Sequence, residues 1–333
     1  MLGSQNPVDN VRWGTNRVPV PHDVPPNTQV TFTFGITARD AVGTWNFQWR
    51  MLREGVGWFG QVTDNVEVHI APTQQPLGDV YFLKNRNVPQ ARVEAHTATN
   101  VTNHGQGSSL VTRFAAADTD TGWFGMHRNG DIYFVKVRNT ASGKVEVFTA
   151  SRSSAYTEGS SAATRFSVDD QANGRFGVLP NGDLYFVKLR NTGTGKVELF
   201  TALSPTYATG LSIGTRFPVA EGANGWFGVL PNNDLYFIKT RNTASGAVEA
   251  LTATSASWYA SGIQLPTRFS VGEADNGTFG MLPYGDVYFV KTRNTAAKVE
   301  VFTATRSSNH ASGLARATRF SVAEGPNGSW GMT

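Results

Sequence analysis

Short apolar runs and a period-two alternation of apolar and polar residues dominate this chain. The segments DLYFVKLRN, starting at Asp183, and KVELFTA, starting at Lys196, show the pattern. Alternation with this period is typical of β-strands that bury one face. No stretch of useful length has the 3.6-residue period of an amphipathic helix. The pattern therefore predicts an all-β fold.

One segment of about 50 residues occurs five times. Each copy contains Asp-x-Tyr-Phe-x-Lys-x-Arg-Asn, then Val-Glu, then Thr-Arg-Phe. The copies open at Asp79, Asp131, Asp183, Asp234 and Asp286. A period near 50 with short strands predicts a propeller or another closed β array.

Each copy divides into four predicted strands, of the types GWFGVLP, DLYFVKLRN, KVELFTA and TRFPV. Asn129-Gly130 and Asn181-Gly182 separate the first strand from the second, and such dipeptides favour two-residue hairpin turns. Four-stranded antiparallel units that repeat in this way predict propeller blades.

The ends of the repeat region predict how the ring closes. The first copy opens at Asp79 without a preceding strand of the GWFG type, and Gly328 to Met332 supplies a spare strand. Pairing that strand with the first copy leaves no unpaired sheet edge. We therefore expect a five-bladed β-propeller closed by the C-terminal strand.

The first 72 residues do not match the repeat. Alternation predicts strands over 30–36, 45–51 and 66–70. Several short antiparallel strands in about 70 residues favour a small immunoglobulin-like β-sandwich. The predicted domains are thus a sandwich over 1–72, a linker over 73–77 and a propeller over 78–333.

Four tryptophans make this segment similar to a known domain family. Trp13, Trp45, Trp49 and Trp58, in VRWGTNRVPVP, GTWNFQWRM and EGVGWFGQ, resemble the four-tryptophan Ig-like domain of selective-autophagy receptors and bacterial extracellular proteins. The resemblance implies an interaction or spacer module. The alternative is that these tryptophans only build a core.

Composition excludes several functions. The formal charge is +4, but Lys and Arg are spread over the repeats, whereas nucleic-acid binding needs a focused basic patch. The chain has no cysteine, so disulfides and thiolate metal sites are excluded. No apolar run reaches membrane-spanning length, and no signal peptide is visible.

Charged residues recur in every copy, as Lys136, Arg138 and Glu146 do in the second. They form either a ligand site or an ion-paired ladder between strands. The repeated Asp after each turn suits a turn cap better than a calcium loop, which needs several carboxylates. Without catalytic motifs or metal-ligand spacing, we expect no enzyme, metal or cofactor.

Two sets of polar-flanked rings are candidate sugar sites, because an aromatic ring stacks on the apolar face of a pyranose. The loops between strands three and four carry His104, Tyr156, Tyr207, Tyr259, His310 and Trp258. The opposite ring face carries Trp123, Trp226 and Trp330 beside Asn139, Asn191, Asn242 and Asn294. The alternative for both sets is packing between blades.

The repeat NGDLYFVKLRNTGTGKVELFTA, followed by Ser-x-x-Tyr-x-x-Gly, resembles that of bacterial propeller lectins for fucose and O-methylated sugars. Those rings have seven blades, although tachylectin-like lectins have five. The resemblance implies a secreted or cell-surface multivalent lectin whose partners are glycans, without membrane insertion and with a homo-oligomer left open. The alternatives are a protein-binding scaffold and a targeting module of a larger secreted protein.

Overall fold

A computed structural model describes residues 1–36, 43–70, 78–127 and 129–333. Contacts divide the chain into two compact units, Met1–Gln74 and Gln75–Thr333. The predicted linker over 73–77 lies outside the described residues, so the predicted boundaries stay a prediction.

The first unit contains two antiparallel sheets. Its strands are β1 (Leu2–Ser4), β2 (Arg17–Val18), β3 (Gly43–Phe47), β4 (Trp49–Arg53), β5 (Gly57–Val62) and β6 (Val66–Ile70). One sheet has the order β2-β1-β4-β5 and the other pairs β3 with β6. The chain therefore changes sheets at Gln48, within the single strand predicted over 45–51.

The strand predicted over 30–36 does not form. Val30, Phe32 and Phe34 are half-buried and alternate with exposed neighbours, but within the described residues no backbone ladder pairs with them. Phe34 instead packs edge-on against Trp49, with ring centroids 5.0 Å apart. Alternation orients side chains, whereas a strand also needs a hydrogen-bonded partner.

The four tryptophans fall into two environments. Trp13 and Trp49 are each 3% exposed and both pack edge-on against Phe47. Trp45 and Trp58 are half-buried, under the guanidinium groups of Arg12 and Arg17 at 5.2 and 5.4 Å. The core interpretation thus fits two of them, and the Ig-like assignment stays a prediction.

The second unit is a five-bladed β-propeller. Blade 1 contains β7 (Val80–Lys84), β8 (Arg92–Ala98) and β9 (Ser109–Ala115). Blade 2 contains β10 (Gly122–Met126), β11 (Ile132–Lys136), β12 (Lys144–Ala150) and β13 (Ser161–Ser167). Blade 3 contains β14 (Gly174–Val178), β15 (Leu184–Lys188), β16 (Lys196–Ala202) and β17 (Ser212–Pro218).

Blade 4 contains β18 (Gly225–Val229), β19 (Leu235–Lys239), β20 (Ala247–Ala253) and β21 (Gln264–Ser270). Blade 5 contains β22 (Gly277–Met281), β23 (Val287–Lys291), β24 (Lys298–Ala304) and β25 (Ala315–Ser321). The last strand is β26 (Gly328–Met332). Every blade is a four-stranded antiparallel sheet in sequence order, and the order β26-β7-β8-β9 completes blade 1.

Strand β26 closes the ring, as the repeat predicts. It pairs with β7 from Gly328 opposite Lys84 to Met332 opposite Val80. The Trp330 indole stacks on Phe82 with centroids 4.1 Å apart. Backbone ladder and ring stack together join the two ends of the repeat region, so the prediction of a five-bladed propeller closed by the C-terminal strand is confirmed.

Aromatic stacks fill the space between blades. On strand two, Phe134 is 2% exposed and stacks on Phe124 of strand one at 4.4 Å, while both contact Phe114 of blade 1. The same stack occurs in the other blades at 4.1 to 4.3 Å. Each blade thus buries its apolar face against its neighbour.

Five short 3₁₀-helical connectors join successive blades. They are connector 1–2 (Ala116–Thr121), connector 2–3 (Val168–Asn173), connector 3–4 (Val219–Ala223), connector 4–5 (Val271–Asn276) and connector 5–1 (Val322–Asn327). The ion-paired ladder between strands, one of the two alternatives for the recurring charged residues, does not form at Lys239. Lys239 pairs with Glu221 of a connector at 2.9 Å, because its long stem reaches past the sheet, whereas the strand-three Glu249 accepts from Ser245 at 3.0 Å.

Candidate functional site

Five of the six rings predicted to be exposed in the loops between strands three and four are buried, and Trp258 is the exception. Their exposed fractions run from 0 to 7% for His104, Tyr156, Tyr207, Tyr259 and His310. The Tyr156 hydroxyl donates to the Gly130 carbonyl at 3.0 Å, and Tyr207 and Tyr259 donate to the equivalent turns. These rings tie two loops of one blade together, so no pyranose stacks on them in this conformation.

The two histidines take the same place in blades 1 and 5. His104 Nε2 faces the Gly78 carbonyl at 3.1 Å, and His310 Nδ1 faces the Ala304 carbonyl at 3.1 Å. Burial lowers the pKa of both rings, so both are neutral near pH 7. They are packing groups that replace tyrosine.

The tryptophans predicted to line a site differ in how far they are exposed. Trp330 is 6% exposed, because the register places it opposite Phe82, where the other blades have phenylalanine. Ser329 therefore occupies the position of Trp123, and Trp330 cannot line a site. Trp123 is 40% and Trp258 74% exposed, whereas Trp226 is half-buried.

Most of the predicted asparagine amides are occupied. Asn191 donates to the Asn173 side chain at 2.6 Å, and Asn242 and Asn294 donate to the equivalent connector residues. Each amide fastens the loop after strand two to a connector. In blade 2 the connector ends in Thr121, and Asn139 forms no such pair among the described residues.

An open cleft lies beside the exposed tryptophan of blade 2. We call it the blade 2 cleft; it has a volume of about 400 Å³ and is lined by Thr119, Asp120, Gly122, Trp123, Val137, Arg138 and Gln171. The Trp123 ring leans on Phe176 of blade 3, with centroids 6.3 Å apart, which fixes the indole while leaving part of it open.

Polar groups converge on the same cleft. Arg138 donates through Nη1 to the Asp120 carbonyl and through Nη2 to Gln171 Oε1, both at 3.4 Å. These bonds are long, so the guanidinium and the amide retain donors for a ligand. An aromatic face beside planar hydrogen-bonding groups is the arrangement that a sugar needs.

The next blade carries an equivalent cleft. The blade 3 cleft has a volume of about 350 Å³ and is lined by Gln171, Ala172, Asn173, Gly174, Arg175, Leu189, Arg190, Val219, Ala220, Gly222 and Ala223. Arg175 stands where blade 2 has Trp123, and Arg190 matches Arg138. Gln171 borders both clefts, so the two are neighbours on one face of the ring.

The connector residues of these clefts were not among the predicted site residues. Asp120 and Gln171 lie outside the strand motif that defines the repeat. A position-by-position comparison of the five copies would have found them, because two neighbouring connector positions vary. The fourth connector residue is Thr119, Gln171, Gly222, Ala274 or Gly325, and the fifth is Asp120, Ala172, Ala223, Asp275 or Pro326. Framework positions repeat, whereas positions that face a cleft differ.

No family model and no curated protein matches the chain. Solved structures do match. A protein from Lactobacillus plantarum is 10% identical, with a TM-score of 0.39 over 73% of this chain and 82% of that chain. A candidate 6-phosphogluconolactonase from Bacteroides fragilis is 11% identical, with a TM-score of 0.37 over 74% and 83%.

A candidate 6-phosphogluconolactonase from Bacteroides uniformis is 11% identical, with a TM-score of 0.32 over 83% of this chain and 80% of that chain. None of these three names is that of a fucose lectin. At such identities the likeness concerns the fold alone, and the propeller assignment rests on the strand pairings described above.

The prediction that the chain is not an enzyme is contradicted by these comparisons, since two neighbours bear the name of an enzyme. That prediction is wrong in its reasoning, because the lack of a sequence motif is no evidence against catalysis. The names belong to those proteins, and the likeness assigns no reaction to this chain.

Among the described residues, no helix has the length and apolar character needed to cross a bilayer. The same residues contain no group of three or more His, Asp or Glu side chains arranged to hold a metal ion.

Proposed function

We propose that the protein binds carbohydrate through the clefts that its connectors form on one face of the propeller. The observation that carries the proposal is the half-exposed Trp123 indole over a cleft of about 400 Å³ that Arg138 and Gln171 also line. A monosaccharide fits this space with its apolar face on the indole and its hydroxyls toward the donors.

The resemblance of the repeat to bacterial lectins favours fucosylated or O-methylated glycans as ligands. A methyl group on a sugar oxygen adds apolar surface that suits an indole better than a hydrated hydroxyl does. Similar clefts around one ring would raise a weak single-site affinity at a glycan-covered surface. Such ligands suit a secreted or cell-surface protein.

A glycan array followed by calorimetry on the strongest hit tests the proposal. The Trp123→Ala variant should bind the hit about tenfold more weakly, since aromatic contacts contribute about 0.5 to 1.5 kcal/mol beyond area burial. The matched control is Trp258→Ala, which removes an exposed indole from a different set of loops. Equal affinity of both variants and the parent would refute the blade 2 cleft as the site.

A second candidate function is protein binding by the first unit. Val56 immediately before β5, Phe59 and Val62 on β5, and Val66 on β6 are between 46 and 73% exposed, and exposed apolar side chains close together in sequence can form a partner site. A blank glycan array from folded protein, together with a sugar-insensitive protein partner lost in Phe59→Ser, would favour this function over carbohydrate binding.

A further inference from the structure

One position on strand one carries four different residue types in the five blades. In the hairpin of strands one and two, Trp123 lies opposite Val135 and Arg175 lies opposite Val187. The equivalent residues of the other blades are Trp226, Thr278 and Ser329. The scaffold is the same at all five positions, so chemical differences between clefts come from these side chains and the connectors.

The blade 3 cleft is lined by cations without anions. Arg175 and Arg190 line it, and none of its lining residues is acidic. Glu221, beside the lining residue Ala220, pairs with Lys239 at 2.9 Å. On the other connector, an oxygen of Asp170 accepts the Ser167 amide at 3.1 Å. The nearby carboxylates are therefore engaged outside the cleft.

Two substitutions between blades produce this imbalance. Ala172 stands where the blade 2 cleft has Asp120. Ala223 stands where the next connector has Asp275, which forms an ion pair with Arg241 at 3.7 Å. Neither Arg175 nor Arg190 forms an ion pair within the described part of the chain.

Arg175 is exposed to solvent where it lines the cleft. A guanidinium without a carboxylate partner can pair with a bound anion. The guanidinium fork also matches the geometry of carboxylate, sulfate and phosphate oxygens.

We infer that the blade 3 cleft binds a sugar with an acidic substituent, whose anionic group contacts Arg175 and Arg190. The inference rests on the proposed carbohydrate function and assigns different ligands to neighbouring clefts. The blade 2 cleft, with Trp123 and a carboxylate, takes a neutral sugar. A volume of about 350 Å³ is that of a small-ligand site.

Matched sugar pairs test the inference. Methyl glucuronide and methyl galacturonide are titrated beside methyl glucoside and methyl galactoside, with inorganic sulfate as a sugar-free anion, and ligand-observed NMR reports binding. We expect the acidic sugars to bind at least tenfold more tightly than their neutral partners. Their affinity should fall with added salt, because screening weakens exposed ionic contacts.

Variants locate the site. Arg175→Gln should weaken the acidic sugars at least tenfold and leave the neutral sugars unchanged, whereas Trp123→Ala should do the opposite. Arg293→Gln, at the position of Arg190 in blade 5, is the control and should change neither. Circular dichroism checks that each variant folds.

Failure of the inference differs from failure of the proposed function. The inference alone would be overturned if neutral sugars bind at Trp123 while acidic sugars bind no more tightly and are unaffected by Arg175→Gln. Absence of binding by every sugar, both in these titrations and on the glycan array, would overturn both. If sulfate still bound in an Arg175-dependent manner, the cleft would be an anion site without a sugar role, and the acidic-sugar assignment would be overturned.

Discussion

Removal of the Trp330 side chain should destabilise the propeller at the point where the ring closes. The indole is 6% exposed, stacks on Phe82 at 4.1 Å and packs edge-on against Phe320 at 5.2 Å. Its Nε1 donates to the Gly325 carbonyl at 3.2 Å. Large-to-small changes of buried aromatic residues cost about 3 to 5 kcal/mol, and we expect Trp330→Ala to lie in that range.

Two further variants separate closure from the mere loss of a tryptophan. Trp330→Phe restores the residue that the other four blades have at this position. It should therefore lower the free energy of unfolding by only about 1 kcal/mol, through loss of the hydrogen bond and a small packed volume. Trp258→Ala removes an indole that is 74% exposed and should change stability by less than about 0.5 kcal/mol.

Urea unfolding of the full chain, followed by far-UV circular dichroism, measures these differences. The propeller is the larger unit, so its transition has the steeper denaturant dependence. In a thermal melt, Trp330→Ala should lower the midpoint by about 6 to 20 °C. If Trp330→Ala and Trp258→Ala unfold at the same urea concentration, strand β26 does not close the ring in solution.

Two more variants probe the packing of single blades. Burial lowers the pKa of His127 to about 4, and the nearby Asp131 opposes this shift. As the pH falls, the unfolded chain therefore binds this proton before the folded chain does. The free energy of unfolding should fall by about 3 kcal/mol as the pH drops from 6.5 to 4. His127→Leu, which copies Leu179, Leu230 and Leu282, should remove that part of the pH dependence in urea titrations, and an unchanged profile would contradict the burial of His127. Tyr156→Phe should lower the free energy of unfolding by about 1 kcal/mol, because it removes the hydrogen bond to Gly130. Tyr156→Ala should lower it by about 3 to 5 kcal/mol. If urea unfolding shows neither loss, the Tyr156 ring does not connect the two loops as the structure describes.

The sequence by itself determined the number of blades, the strands within them and the closing strand. Each follows from local pattern: period-two alternation fixes a strand, and the fivefold recurrence of one segment fixes the number of units that must pack alike. The spare strand at 328–332 could be assigned because an unpaired sheet edge has only one complementary edge in a ring.

Only the tertiary structure decided which rings are exposed. Tyr156 lies in a polar sequence that predicts solvent contact, yet a short turn in the left-handed conformation points its ring inward to the Gly130 carbonyl. Trp330 lies one residue beyond the position of Trp123, and a shift by one residue along a strand moves a side chain to the opposite face.

The candidate clefts also depend on the fold. Trp123, Arg138 and Gln171 come from strand one, the end of strand two and a connector of the following blade, so no local segment contains the site. Sequence periodicity reports which residues are buried within an element. Which exposed side chains meet is set by the curvature of the ring, which brings the ends of separate elements to one face.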